Sequence, residues 1–294
     1  MADTPVSPLS CPAAQELPAP PPARRVERAQ VREGAVSQGR RTVPEETPVA
    51  LTFNGTTHAV MMATPADIPA FALGFALTEG IVASPADILS IEEIVVEDGI
   101  EARLWIAEEK MRTLSARRRA LAGPTGCGLC GVESLAEAVK PAAHVACDLV
   151  LTPEEILAAM AALGPLQEIN RETRAVHAAA YAEPGAGIRA VAEDVGRHNA
   201  LDKLVGLAVT GGFDTSKGLL LLTSRVSIEM VQKASVLGTG IIAAVSAPTS
   251  LAIRTAEAAG ITLCAVVRTD GFEIFTHPGR IALGSPHERP AYVA

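Results

Sequence analysis

Residues 218–268 read GLLLLTSRVSIEMVQKASVLGTGIIAAVSAPTSLAIRTAEAAGITLCAVVR and decide the fold. Three short apolar runs, at 218–222, 241–245 and 261–267, alternate with two stretches of helical periodicity, at 227–237 and 249–259. Continuous apolar strands separated by helices predict a parallel sheet that is covered on both faces. This part of the chain is therefore predicted to be an α/β domain.

The same pattern extends upstream of this run. Residues 149–163 predict a helix with a capping box, in which Thr152 is the N-cap, Pro153 is the first helical residue and Glu155 completes the box. Further elements are predicted as strands at 176–181, 188–193 and 273–275 and a helix at 199–209. We assign residues 149–284 to the α/β domain.

A smaller, β-rich unit is predicted before the α/β domain, at residues 43–123. Asn54-Gly55 separates two strand-like runs, which is a strong hairpin signal. The other elements predicted here are a helix at 65–82 and a second strand pair at 91–96 and 102–106. Residues 124–148 are left as a Gly/Cys loop and connector.

The two ends of the chain are predicted to lack regular structure. Seven prolines precede Arg24, and the following residues are charged with few large apolar side chains. This composition predicts a disordered leader over residues 1–42. Residues 285–294 are taken as a tail.

Composition excludes several classes of function. The chain has 294 residues, of which 48% are hydrophobic and 20% charged, and its net charge is −8. An acidic balance argues against broad binding to nucleic acid or to a membrane surface. There is no apolar stretch of membrane-spanning length and no secretory signal, and a C-x-x-C pair among five cysteines fits a reducing compartment. We therefore expect a cytoplasmic protein.

The C-x-x-C pair, Cys127 and Cys130, stands between glycines in the run Thr-Gly-Cys-Gly-Leu-Cys-Gly. Glycines leave the sulfurs uncovered, and a basic cluster (Arg112 and the arginines at 117–119) precedes them. A thiolate is both a nucleophile and a metal ligand, so the pair indicates either reactive thiols or a metal site. A thiol–disulfide oxidoreductase is disfavoured, because no thioredoxin-like βαβ context surrounds the pair.

The metal alternative has a spacing of its own. Cys127 and Cys130 are followed by His144 and Cys147, which gives C-x2-C and then H-x2-C, close to the pattern of a structural zinc site. No feature of the intervening residues marks a second zinc knuckle. From spacing alone both interpretations stay open.

A second constellation is Glu-Asp-Val-Gly-Arg-His-Asn-Ala-Leu-Asp-Lys at residues 193–203, between a predicted strand and a predicted helix. Asn199 is expected to cap that helix, and Arg197 and His198 beside its N-terminus could hold an anion. The alternative is an ordinary solvated loop. The Gly-Arg-His-Asn cluster at the end of a strand favours a functional role.

Loops that follow the apolar strands are the third candidate. In open α/β sheets ligands bind beyond the carboxyl ends of the strands, and hydroxyls, arginines and helix N-termini suit a phosphate. Ordinary helix capping explains each loop taken singly, but three similar loops on adjacent strands indicate a nucleotide or phosphate site. The candidate residues are Ser224, Arg225, Ser246 and Thr249.

His177 invites comparison with zinc deaminases, which carry H-x-E before P-C-x-x-C. Here alanine occupies the glutamate position, and the C-x-x-C comes before the histidine. Deaminase activity is therefore not expected, and His177 is interpreted as a buried histidine.

Together these motifs resemble the FdhD/NarQ family, the sulfur carrier proteins required for formate dehydrogenase activity. The similarity runs from about residue 43 to residue 281. It is carried by LGFALTEG at 73–80, GCGLCG at 126–131, the run 193–203, SRVSIEMVQKA at 224–234, VSAPTSL at 245–251 and FEIFTHP at 272–278.

The resemblance implies a function and a set of site residues. Family members take persulfide sulfur from a cysteine desulfurase and pass it to the bis(molybdopterin guanine dinucleotide) molybdenum cofactor for formate dehydrogenase. The persulfide position corresponds to Cys127, and Cys130 would assist or relay sulfur. The cofactor would be bound as a substrate that GDP could mimic, with no tightly bound metal. Its contacts would include Phe272, Glu273, Ile274, Phe275, Thr276 and His277.

The resemblance also implies a cytidine-deaminase-like C-terminal domain and a homodimer that acts with the desulfurase and the formate dehydrogenase apoenzyme. At Phe275 the family leads us to expect tyrosine, so this chain lacks a hydroxyl there but keeps an aromatic ring. The competing hypothesis is a cofactor-binding chaperone whose cysteines and His144 hold structural zinc.

Overall fold

The computed structural model describes residues 17–121 and 140–283. Its strands are β1 Ala23–Arg32, β2 Ala35–Pro44, β3 Thr47–Phe53, β4 Thr56–Ala63, β5 Ile88–Val96, β6 Gly99–Ile106, β7 His177–Glu183, β8 Gly187–Asp194, β9 Leu219–Leu222, β10 Ile241–Ala244, β11 Thr262–Arg268 and β12 Gly271–Ile274. Its α-helices are α1 Ile68–Thr78, α2 Glu108–Leu121, α3 Pro153–Leu166, α4 Glu168–Thr173, α5 Arg197–Thr210, α6 Ile228–Leu237 and α7 Ser250–Ala258. Cys127, Cys130, residues 1–16 and the tail at 285–294 lie outside the described residues.

The predicted α/β domain is confirmed as a class, but its sheet is mixed rather than parallel. The strand order is β12-β11-β10-β9-β7-β8. Only β9, β10 and β11 pair in parallel, while β7, β8 and β12 pair antiparallel to their neighbours. The three parallel strands are the continuous apolar runs of the sequence. The flanking strands join through short turns, so no helix crosses between them and antiparallel pairing follows.

Helices cover both faces of this sheet and make a three-layer domain. On one face Leu220, Ile242 and Leu263 belong to a core shared with α5, α6 and α7. On the other face Leu221 and Ile241 pack with residues of α3. Alternate residues of each strand point to opposite faces, so both sets must be apolar. The capping box of α3 is confirmed, with Thr152 and Glu155 bonded reciprocally.

The smaller unit is a four-stranded sheet in the order β4-β3-β6-β5, with α1 packed on one face. Asn54 and Gly55 both have positive φ (46° and 78°), as a two-residue hairpin turn requires. Asn54 also accepts a hydrogen bond from the Ile106 amide and donates one to the Ile106 carbonyl, which ties the turn to β6.

The prediction of a disordered leader over residues 1–42 is wrong for its second half. β1 and β2 pair antiparallel in full register, from Ala23 opposite Pro44 to Arg32 opposite Ala35. Glu33 and Gly34 make the turn with φ values of 50° and 80°. Glu-Gly is a weaker turn signal than Asn-Gly, and six arginines gave these strands the composition of a disordered segment.

The two units share one hydrophobic core, because α1 crosses α5 at very close range. A Cβ atom on Gly74 would lie 1.7 Å from the Asp202 carbonyl oxygen. Reciprocally, a Cβ on Gly206 would lie 2.0 Å from the Ala70 carbonyl oxygen. Glycine at both positions is what lets the two backbones touch. Among the described residues no helix is long and apolar enough to cross a membrane.

Candidate functional site

Four strands of the large sheet end at one edge, which we call the carboxyl edge. β9, β10 and β11 are parallel, and β8 runs in the same direction because β7 lies antiparallel to both β8 and β9. The start of β7, at His177, reaches the same edge, where His177 pairs with Asp194. The carboxyl edge therefore gathers His177 with the loops at 195–198, 223–227, 245–249 and 268–270.

Backbone hydrogen bonds hold these loops together. The Val226 amide donates to the Ala247 carbonyl (3.4 Å), and the Thr249 amide donates to the Val226 carbonyl (2.9 Å). Arg268 donates from Nη1 to the Val245 carbonyl. The predicted phosphate-type loops are thus neighbours in space, as their place after adjacent strands required.

Three helices begin at the carboxyl edge: α5 at Arg197, α6 at Ile228 and α7 at Ser250. The free amides and macrodipole of a helix N-terminus favour negative charge. Thr249 caps α7 by accepting a hydrogen bond from the Ala252 amide (3.2 Å). Ser224 is buried and donates to the Arg225 carbonyl (3.1 Å), whereas the Arg225 side chain is exposed and Ser246 is half-buried.

Arg197 and His198 are the residues of the 193–203 run that face this edge. Arg197 Nε is buried and has no hydrogen-bond partner among the residues that the structure describes. His198 Nε2 lies 3.1 Å from Glu229 Oε2, and Ser227 Oγ donates to the same oxygen (3.1 Å). A buried guanidinium nitrogen without a partner costs free energy unless a ligand satisfies it.

Burial lowers the pKa of both histidines at the carboxyl edge. For His198 the neighbouring Arg197 lowers the pKa further and Glu229 opposes the shift. For His177 Arg197 again adds to the effect of burial, and Asp194 opposes it. Neutral imidazoles can accept or donate hydrogen bonds, so the positive charge of the edge at neutral pH comes from its arginines.

The other polar residues of the 193–203 run are buried and structural. Asp194 Oδ2 lies 2.7 Å from Lys203 Nζ and also accepts a hydrogen bond from the Thr64 amide (2.9 Å). Asn199 was expected to cap α5, and that prediction is wrong, because Gly196 occupies the N-cap position without a side-chain bond. Asn199 instead donates to the Met62 carbonyl (2.8 Å) and to Asp194 (3.0 Å). These bonds fasten the smaller unit to the α/β domain.

Sequence reasoning missed a second buried ion-pair network, centred on Lys233 of α6. Its Nζ lies 2.9 Å from Asp202 Oδ1 and 2.8 Å from Glu79 Oε1, and it donates to Thr78 Oγ1 (2.9 Å). Burial raises the pKa of Asp202 to about 6, although Lys233 opposes the shift. The sequence did hold a signal for this network, because its members all lie in the runs that carry the family resemblance. They are Thr78, Glu79, Asp202 and Lys233.

The site residues implied at 272–277 extend away from the carboxyl edge. β12 runs antiparallel to β11 and takes the chain to the opposite edge of the sheet. Thr276 is buried and fully bonded within the fold, since it accepts from the Leu263 amide (2.8 Å) and donates to the Ile261 carbonyl (2.6 Å). His277 has a φ of 45°, and its Nε2 lies 2.9 Å from the Glu257 carbonyl.

The remaining members of that segment differ in exposure. Phe272 and Ile274 pack against the core beneath α3, while Phe275 packs against the core on the opposite face. Glu273 is exposed. The segment therefore starts beside the carboxyl edge, where Gly271 pairs with Arg268, and ends at Thr276 and His277 on the opposite edge. The structure does not bring all the predicted cofactor contacts together.

His144 and Cys147 lie near the edge opposite the carboxyl edge. Cys147 packs on Gly240, where an added Cβ would lie 2.5 Å from its Sγ, and His144 packs on Gly260. Within residues 17–121 and 140–283 no three His, Cys, Asp or Glu side chains are grouped as a metal site. The other two zinc ligands of the alternative hypothesis, Cys127 and Cys130, lie outside the described residues, so that hypothesis stays a prediction.

The chain that follows the cysteine pair is fastened to α6. Gln232 Nε2 donates to the Lys140 carbonyl (2.5 Å), and the Ala143 amide donates to Ser235 Oγ (3.2 Å). Glu229, which contacts His198, lies one turn before Gln232 on the same helix. Lys140, the first described residue after the cysteine pair, is thus held close to the carboxyl edge.

The fold and the site define the class of this protein. It has two packed units, and the carboxyl edge of its three-layer α/β domain carries arginines and other polar side chains. The chain belongs to the FdhD/NarQ family, whose model matches residues 44–282. This span includes the four-stranded and the six-stranded sheet.

Curated relatives cover most of the chain. A protein from Agrobacterium fabrum named sulfur carrier protein FdhD is 50% identical over 261 residues, which is 88% of this chain and 96% of the relative. A protein of the same name from Brucella abortus is 49% identical over 83% of this chain and 91% of its own length. Another, from Cupriavidus necator, is 50% identical over 81% of this chain and 83% of its own length.

A crystal structure from Desulfotalea psychrophila, of a protein described as a formate dehydrogenase accessory protein, has the same fold. It superposes with a TM-score of 0.69 at 24% identity and covers 89% of this chain and all of that chain. At this identity the similarity supports the fold alone.

Proposed function

We propose that this protein is a sulfur carrier that takes persulfide sulfur from a cysteine desulfurase and transfers it to the bis(molybdopterin guanine dinucleotide) molybdenum cofactor. Its relatives at about 50% identity bear the name sulfur carrier protein, which supports the sulfur-carrying role. Cys127 would hold the persulfide and Cys130 would assist it. The acceptor of the finished cofactor would be the formate dehydrogenase apoenzyme, and the protein would act in the cytoplasm as a homodimer.

The observation that carries the cofactor half of this proposal is the partnerless, buried Arg197 Nε at the carboxyl edge. Arg225 and Arg268 lie on adjacent loops, and three helices begin there. A guanine dinucleotide presents phosphates, which bind at helix N-termini and to arginine guanidinium groups. In a chain with a net charge of −8, such a local group of cations supports a site for an anion.

The contact between Lys140 and Gln232 supports the sulfur half, because it holds Lys140, which follows the cysteine pair in the sequence, near the same edge. In the first step the Cys127 thiolate attacks the outer sulfur of the desulfurase persulfide. A new S–S bond forms on Cys127 as the old one breaks, and the desulfurase leaves as its thiolate. Release of that sulfur as sulfide consumes two electrons. The Cys130 thiolate would supply them by attacking the inner sulfur of the Cys127 persulfide, which forms a Cys127–Cys130 disulfide as the outer sulfur leaves as sulfide.

Mass spectrometry tests the sulfur chemistry directly. After incubation with a desulfurase and cysteine, we expect a gain of one sulfur (about 32 Da) on the peptide containing Cys127. Cys127→Ala should abolish this gain and Cys130→Ala should keep it. A Cys127→Ala protein that still supports full formate dehydrogenase activity would overturn the assignment.

The zinc-binding chaperone makes an opposite prediction for the same purified protein. It requires near-stoichiometric zinc that is lost in Cys147→Ala as well as in Cys127→Ala, whereas sulfur transfer requires no such metal. Elemental analysis of the two variants and the parent protein distinguishes the two functions.

A further inference from the structure

The β1–β2 hairpin is a two-stranded sheet of its own. Its base is held to the α/β domain through Arg41, which donates from Nη2 to the Thr173 carbonyl (3.2 Å). Ten residues of strand extend about 33 Å, and a two-stranded ribbon is only marginally stable in water. A partner surface would therefore stabilise the outer part of this hairpin.

The hairpin differs in charge from the rest of the chain. Six arginines and two glutamates give residues 23–44 a net charge of +4. Because the whole chain has a net charge of −8, the residues outside the hairpin together carry −12. Arg24, Arg40 and Arg41 have acidic or carbonyl partners, but Arg28 and Arg32 have none among the described residues. The hairpin is thus a cationic arm on an acidic body.

The outer end of the hairpin exposes an apolar pair. Val31 and Val36 lie directly opposite each other on the two strands, and each is 67% exposed. β-branched residues are common in strands, but this pair at the end of a ribbon leaves apolar surface exposed to water. This end of the arm can fill an apolar pocket.

The chain offers such a pocket at the base of the same hairpin. A cavity of about 390 Å³ has apolar walls from Pro48, Val95 and Val96 and carboxylates from Glu46, Glu97 and Asp98. Arg24, the second residue of β1, also lines it and pairs with Glu45. The cavity therefore combines an apolar wall with an acidic rim, which complements the valine pair and the free arginines of the arm.

We propose that two copies of this chain associate through their hairpins, with the tip of each arm filling the cavity at the base of the other. Cavity and tip lie at opposite ends of one ribbon, so two antiparallel arms satisfy both contacts around a single two-fold axis. This proposal locates the interface of the homodimer named above and is independent of the sulfur chemistry. An arm folded onto its own body could not reach the cavity, because its base already borders it.

Charge reversal tests the interface in solution. Sedimentation velocity should show a dimer for the parent protein, and the dimer should weaken with added salt. Arg28→Glu/Arg32→Glu and Glu97→Arg/Asp98→Arg should each raise the dimer dissociation constant about tenfold or more. Arg32, Glu97 and Asp98 are exposed and Arg28 is half-buried, so circular dichroism should show unchanged folding.

Mixing the two charge-reversed proteins gives the sharpest result. In a two-fold dimer each arm then meets a pocket of opposite charge, so the mixture should recover the dimer. The matched control is Glu108→Arg/Glu109→Arg, which changes two exposed carboxylates of α2 outside the cavity and should neither weaken the parent dimer nor rescue the arm variant. A monomeric parent, a dimer insensitive to the arm, or rescue by the control would overturn the proposal.

Discussion

Lys203 Nζ lies 2.7 Å from Asp194 Oδ2, and neither side chain is exposed at all. Lys203 also donates to the Thr64 carbonyl (2.8 Å), and Asp194 receives the Thr64 amide, so the pair joins α5 to the end of β4. The same run of sequence sends Arg197 and His198 to the carboxyl edge. One segment therefore holds the two units together and builds part of the candidate site.

Breaking this pair should be costly. Lys203→Met leaves Asp194 as a buried charge without its partner, which typically costs about 3–5 kcal/mol of unfolding free energy. Urea denaturation of the parent and the variant measures the difference. The matched control is Arg40→Gln, which breaks the exposed pair with Glu27 and should cost at most about 1 kcal/mol. Equal losses in the two variants would contradict the structural role of the buried pair.

The crossing of α1 and α5 gives a second prediction. Gly74→Ala places a methyl group 1.7 Å from the Asp202 carbonyl oxygen, so the helices must separate and stability should fall by about 2 kcal/mol or more. Gly164→Ala is the control, because that helical glycine has open space around it and alanine should stabilise by about 0.5–1 kcal/mol. Thermal unfolding of both variants should show shifts of opposite sign.

Asp202 should make stability depend on pH. Burial raises the pKa of its carboxyl from 3.8 to about 6, so between these values the folded state binds a proton that the unfolded state has lost. The contribution of Asp202 therefore falls as pH rises from about 4 to 6, by up to about 3 kcal/mol. Comparison of the parent protein with Asp202→Asn over this range isolates the effect. Parallel pH profiles would refute it.

GDP binding can show which of the predicted cofactor contacts hold the nucleotide, those at the carboxyl edge or those in the segment at 272–277. If the carboxyl edge holds the phosphates, Arg197→Ala should weaken GDP binding about tenfold or more, because charge-assisted hydrogen bonds contribute about 1.5–3 kcal/mol. His277→Ala, on the opposite edge, should leave the GDP dissociation constant unchanged. Isothermal titration calorimetry measures both. The reverse pattern would move the nucleotide site to the segment at 272–277.

The sequence predicted those elements whose local pattern is unambiguous. Leu219–Leu222 and Ile241–Ala244 are wholly apolar and came out as buried strands, and the Thr152 capping box marked the start of α3. The β1–β2 hairpin was missed because its strands are rich in arginine and belong to an exposed ribbon, where alternation between core and solvent is weak. Local composition indicated disorder, and only pairing between the strands reveals the hairpin.

Long-range partners account for most of what could not be predicted at the site. Asn199 was predicted to cap a helix, but its side-chain amide donates to the carbonyl of Met62, which is 137 positions away in the chain. The pairing of Lys233 with Asp202 and Glu79 depends on three helices meeting, which no spacing in the sequence shows. Arg197 and His198 were predicted to lie just before a helix at 199–209, whereas they are the first two residues of α5, which begins soon after β8 ends.

Helix α6 fixes the spacing between three contacts described above. Glu229 contacts His198 at the carboxyl edge, Gln232 holds the chain that returns from the cysteines, and Lys233 is locked to α1. At 1.5 Å per residue, Glu229 and Gln232 are about 4.5 Å apart along the axis. A single inserted residue between them would turn one contact about 100° away from the other. The register of this one helix thus fixes the position of Lys140, which follows the cysteine pair in the sequence, relative to His198 at the carboxyl edge.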